Sequence, residues 1–115
     1  LTRMVQRIAK LYFNPGSYLL DKTAQRAIKN IVNHLSAQPT KKIEVRIKGW
    51  VQPTKHKARD KRLSKLRAFI VAKKLRGLGV KGHYRVIPAG ARDAIGAKSR
   101  VTTVRVRYWI STLKS

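Results

Sequence analysis

The residues of this chain most able to do chemistry lie in Asp60-Lys61-Arg62-Leu63-Ser64-Lys65-Leu66-Arg67-Ala68. Ser64 is a good helix N-cap type with Leu63 at the staple position facing Ala68, which puts Arg67 in the first turn of the helix that follows. Freed backbone amides make that end of a helix positive, so a cation there typically costs ~0.3–1 kcal/mol and the site attracts anions. An arginine so placed is suited to a ligand, because its planar, permanently charged guanidinium can grip a carboxylate through two bonds. Composition offers a second explanation: a chain this rich in Lys and Arg carries them everywhere.

Just upstream, Thr54 to Arg62 is polar and holds Lys55, His56, Lys57, Arg59, Lys61 and Arg62, the pattern of an exposed basic loop. Catalytic chemistry finds no support. His34, His56 and His83 are scattered, there is no cysteine, and the chain has only four carboxylates, so neither a metal-ligand spacing nor a Ser/His/Asp set can be built. Ser64 is explained as a helix cap, and Gly77, Gly79 and Gly82 follow a helix instead of opening one as a phosphate loop would. A binding module without enzyme activity, metal or cofactor is expected.

Charge narrows the partner. With 28 Lys and Arg against 4 Asp and Glu, the formal charge is +24, so the chain should be drawn to polyanions in a salt-dependent way. Nucleic acid, anionic wall polymers and anionic lipid surfaces all qualify. Trp50 and Trp109 beside basic residues fit a phosphate-binding footprint in general terms. Yet Lys22, Arg26 and Lys29, Arg46 and Lys48, and Arg105 and Arg107 sit on different elements, and no nucleic-acid signature is present, so only non-specific nucleic-acid binding is expected. The basic loop adjoining Gln52 and Arg67 could instead serve phosphate-bearing teichoic-type polymers. No apolar run approaches the ~20 residues of a membrane span, and no signal-peptide pattern is present. A start at Leu1 suggests a piece of a longer protein.

One domain fits 115 residues that are 43% hydrophobic. Ile8 to Phe13 is a first strand, ended by the turn Asn14-Pro15-Gly16-Ser17. Asp21 caps a helix whose Ala24, Ala27, Ile28, Ile31, Val32 and Leu35 recur at helical spacing to about Ala37. Ile43, Val45 and Ile47 alternate with Glu44, Arg46 and Lys48 in a second strand that ends near Gly49 to Pro53. Ile70, Val71, Leu75 and Leu78 continue the helix begun at Ser64, with Gly77 or Gly79 closing it. Tyr84 to Pro88 is a third strand, Ala89 to Ser99 a loop, and Thr102 to Ile110 a last strand with a basic face. The order β-α-β-α-β-β implies an α+β two-layer sandwich of a mixed four-stranded sheet and two helices. Leu1 to Gln6 and Leu113 to Ser115 are expected to fray, which leaves a domain of residues 8–110 with short flanks at 1–7 and 111–115.

With its elements in this order, the chain resembles the OmpA-like peptidoglycan-binding domain. Tyr12-Phe13 with its turn and Leu20 resembles the opening strand and helix. Ile43 to Gly49 is similar to the strand entering the Gly-His-Thr-Asp turn, Leu63-Ser64-x-x-Arg67-Ala68 to the Leu-Ser-x-x-Arg-Ala motif, and Ser99-Arg100 to the Asn-Arg-Arg-Val entry of the last strand. The resemblance implies that Arg67 clamps a carboxylate of the diaminopimelate in a stem peptide, and that Arg100 and Trp50 border the site. The family's ammonium-binding aspartate is Gln52 here, a neutral amide without counter-charge. Asp60 stands at the family's asparagine and could compensate, giving an Asp60/Arg67 pair for a zwitterion; pairing with Lys57 or Lys61 is the alternative. The turn Gly49-Trp50-Val51-Gln52 is similar to the variant found on surface proteins of actinobacteria. Implied are a monomer at the cell envelope or extracellular surface, and peptidoglycan or muropeptide as partner.

Overall fold

The computed structural model describes residues 2–37, 40–91 and 100–111. Six elements follow in the order β1 (Thr2–Tyr12), α1 (Lys22–Ser36), β2 (Thr40–Val51), α2 (Lys57–Gly77), β3 (His83–Ala91) and β4 (Val101–Ser111). The sheet runs β1-β4-β2-β3, with β4 antiparallel to both neighbours and β2 parallel to β3. A parallel pair needs a long crossover, and α2 supplies it. The expected β-α-β-α-β-β mixed sheet with two helices is the observed fold.

One face of the sheet and the inner faces of both helices close a single core. Ala24, Ile28, Ile31 and Leu35 of α1 and Ala68, Val71, Ala72 and Leu75 of α2 meet Leu11, Val45, Ile47, Val104, Val106 and Tyr108 from the strands. Asp21 caps α1 as expected, its carboxylate accepting from the Ala24 amide at 2.8 Å. Helix α2 ends in a Schellman arrangement: Gly79, at φ +92°, donates to the Arg76 carbonyl at 3.0 Å and Val80 to that of Leu75 at 3.0 Å. Gly49 has a different task. A Cβ there would collide with the backbone carbonyl of Ser64, so glycine lets α2 cross β2 at close range.

Three expectations need correction. Thr2 to Gln6 do not fray: they pair with β4 from Thr2↔Ser111 onward, because β4 is long enough to template them. Helix α2 begins at Lys57, not at Ser64, so Lys57, Arg59, Lys61 and Arg62 form its first turns and the basic loop shrinks to the residues around Lys55. Ala89 to Ala91 extend β3, while the rest of the expected loop, 92–99, and the segment 112–115 lie outside the described residues.

Candidate functional site

Arg67 sits in the middle of α2, buried to 0% exposure. Its Nε donates to the Ser17 carbonyl at 2.8 Å, Nη1 to the Trp50 carbonyl at 3.0 Å and Nη2 to the Asn14 carbonyl at 3.1 Å. The Phe13 ring lies 5.1 Å from the guanidinium carbon. Two of these acceptors belong to the β1-α1 turn, where Pro15 and Gly16, the latter at φ +68°, bend the chain so that carbonyls converge. The third ends β2. Arg67 is therefore a strut tying turn, sheet and helix together, and the expectation of a helix N-terminal arginine open to a groove is corrected: the first-turn cations of α2 are Lys57 and Arg59. Burial, and then the charge of Arg100, push the Arg67 pKa down to about 10, which leaves it cationic at neutral pH.

Above this strut lies a cleft of about 320 Å³, bordered by Pro15, Gly16, Gln52, Pro53, Thr54, Arg59, Asp60, Leu63, Arg67 and Arg100. The structure thus brings together Arg67, Gln52, Asp60 and Arg100 from four places in the sequence. Asp60 is 4% exposed and accepts from Thr54 twice, from the amide at 2.9 Å and the hydroxyl at 2.6 Å. This bond pair organises the entry to α2. Arg100 donates through Nε to the Phe13 carbonyl at 3.0 Å and through Nη1 to Gln52 Oε1 at 2.8 Å. The acceptor of Gln52 is thus already turned onto a cation, and its amide nitrogen is what remains for a ligand.

Other expected residues fall elsewhere. Ser64 is fully buried in α2, where its hydroxyl donates to the Lys61 carbonyl at 2.7 Å and accepts from the Gly90 amide at 3.0 Å. It clamps α2 to β3; it neither caps a helix nor faces the cleft. Trp50 contributes its carbonyl to Arg67, but its ring is on the opposite, solvent face of the sheet, with Lys48 Nζ 4.8 Å from the centroid. Lys55, Lys57, Lys61 and Arg62 are exposed on or before α2, and of the basic segment Arg59 borders the cleft. Thr54, Pro15 and Gly16 were not anticipated as site residues. Their signal was present only as turn chemistry beside Asn14 and Pro53.

A family model, the OmpA family, matches residues 12–107. The chain belongs to the OmpA family. Among solved structures, this OmpA-family domain is similar to the OmpA-like domain of FopA1 from Francisella tularensis subsp. tularensis SCHU S4, with 17% identity, 90% of this chain and 73% of that one covered, and a TM-score of 0.68. It is also similar to the peptidoglycan-associated lipoprotein from Burkholderia pseudomallei, at 20% identity, 86% and 88% coverage and TM-score 0.69. The periplasmic domain of Helicobacter pylori MotB, residues 97–256, matches at 18% identity, 92% and 83% coverage and TM-score 0.62. No curated protein matches the chain in sequence. Among the described residues, no group of three His, Cys, Asp or Glu could hold a metal, and no helix is long and apolar enough to cross a membrane.

Proposed function

We propose that this domain is a non-catalytic peptidoglycan-binding module of the cell envelope, and that the cleft above Arg67 receives the zwitterionic end of a stem peptide. The observation that carries this is the grouping of Arg59, Arg67 and Arg100 around one carboxylate, Asp60, at the position of the Leu-Ser-x-x-Arg motif. The three cations favour a ligand carboxylate. Arg100 and Arg59 are the reachable donors, while Arg67 supplies positive charge from the floor. Asp60, with two bonds from Thr54, retains acceptor capacity for a ligand ammonium. Gln52 stands where the family has an aspartate, so the negative side of the cleft is weaker and the preference shifts toward the carboxylate. The peptidoglycan-associated lipoprotein among the structural relatives supports the same substrate class.

A pull-down on purified sacculi, treated with nuclease and challenged with free diaminopimelate, tests this. Competition by the amino acid is expected, together with a larger loss from Arg100→Ala than from Arg26→Ala on the exposed face of α1. Elution by salt alone, with equal losses from both variants, would refute the cleft.

A further inference from the structure

The face of the sheet that the helices leave uncovered carries an ordered field of cations. Strand register places Ile8, Arg105, Arg46 and Arg85 side by side across β1, β4, β2 and β3. The adjoining row is Gln6, Arg107, Glu44 and His83, and the row on the other side is Lys10, Thr103, Lys48 and Ile87. Adjacent strands are about 4.8 Å apart, so three arginines stand abreast within about 10 Å. Like charges directly opposite one another destabilise a sheet, and a fold that keeps three in one row without a folding reason points to a bound anion. A depression of about 270 Å³ lies among Glu44, Arg46, His83, Arg85, Arg105 and Arg107.

We propose that this open sheet face binds a flexible phosphodiester polymer of the wall type, at a site separate from the cleft. Charge complementarity identifies the occupant. Arg46, Arg85, Arg105, Arg107, Lys10 and Lys48 face a single carboxylate, Glu44, and a chain with a phosphate every few bonds can answer several of them at once. Burial first, and then the neighbouring Arg107 and Arg46, hold the Arg105 pKa below its ordinary value, with Glu44 opposing. Stacked bases are disfavoured as the main contact. The Trp50 ring has Lys48 Nζ over it at 4.8 Å, and Trp109 stands beyond the arginine rows, beside Met4. Choosing a wall polymer over other phosphodiesters rests on the envelope role proposed above; the site itself does not.

Binding of poly(glycerol phosphate) chains across a salt series tests the proposal. The triple variant Arg46→Gln/Arg85→Gln/Arg105→Gln is compared with Lys22→Gln/Arg26→Gln/Lys29→Gln on α1, which removes the same charge from exposed positions. With each neutralised phosphate contributing about 0.7–0.9 to the slope of log affinity against log salt, the sheet triple should lose roughly 2 from that slope and at least about tenfold in affinity, the helix triple less than about threefold. Glu44→Gln should tighten binding, a gain that misfolding cannot mimic. Equal losses from the two triples, no gain from Glu44→Gln, or tighter binding of a single-stranded oligonucleotide that Trp109→Ala abolishes would overturn it. Binding of a polymer-free muropeptide is measured on the same proteins: its retention by the sheet triple is expected, and its absence from the unmodified domain would refute the cleft while leaving the polymer comparison decisive for the sheet face.

Discussion

Replacing Arg67 by methionine removes the strut while filling most of its volume. Three backbone carbonyls, of Asn14, Ser17 and Trp50, then lose their donors. A hydrogen bond to a charged group contributes about 1.5–3 kcal/mol net, so the three sum to roughly 4.5–9 kcal/mol before any offset. The offset is the cost of holding a cation at 0% exposure, visible as a pKa driven down to about 10. A buried acceptor left without its donor typically costs about 1–3 kcal/mol, so three of them, less the relieved desolvation of the cation, give an expectation of about 3–5 kcal/mol for Arg67→Met. Against a total stability of about 5–15 kcal/mol, this is a large fraction. Urea unfolding followed by circular dichroism gives the midpoint and slope for both proteins. Arg67→Lys should fall between them, because one ammonium lacks the planar fork that reaches three carbonyls. A loss below about 1 kcal/mol for Arg67→Met, with muropeptide binding abolished, would show that the guanidinium belongs to the ligand and not to the scaffold.

Gly49→Ala should destabilise by about 1–3 kcal/mol, since the new Cβ meets the Ser64 carbonyl and α2 must move off β2; an unchanged urea midpoint would mean that the crossing is loose. Gln52→Asp should tighten binding of a diaminopimelate-containing muropeptide by adding a carboxylate beside Arg100, and an unchanged titration would place Gln52 away from the ammonium. Tyr84, whose hydroxyl donates to the Val80 carbonyl at 2.7 Å, has its pKa raised by burial, with Arg76 opposing. The unfolded chain therefore releases this proton first, so stability from Tyr84 is complete below about pH 10 and falls as pH rises toward the folded value. Ultraviolet titration should show a late phenolate that Tyr84→Phe deletes.

Much of the fold is written in short-range pattern. Alternating Ile43, Val45 and Ile47, the helical spacing from Ala24 to Leu35, the Asp21 cap and the glycine after α2 each act within a few residues, so periodicity and local hydrogen bonding reveal them. The start of α2 was hidden because Lys57 to Arg62 is polar all round apart from Ala58, and Ser64 imitates a cap. What stabilises those first turns is Thr54 bonded to Asp60, which sequence spacing does not show. Thr2 to Gln6 become a strand only because β4 lies alongside them.

The sequence by itself determined that this is a two-layer domain with a motif arginine and an overwhelming positive charge, because composition and period are properties of neighbours along the chain. Tertiary structure alone decided what that arginine does and where the charge gathers. Arg67 meets partners 50, 17 and 53 residues away. Arg46, Arg85 and Arg105 become one row only when β2, β3 and β4 are hydrogen-bonded in register. Such contacts arise from packing between segments far apart in the chain, and no local pattern encodes them.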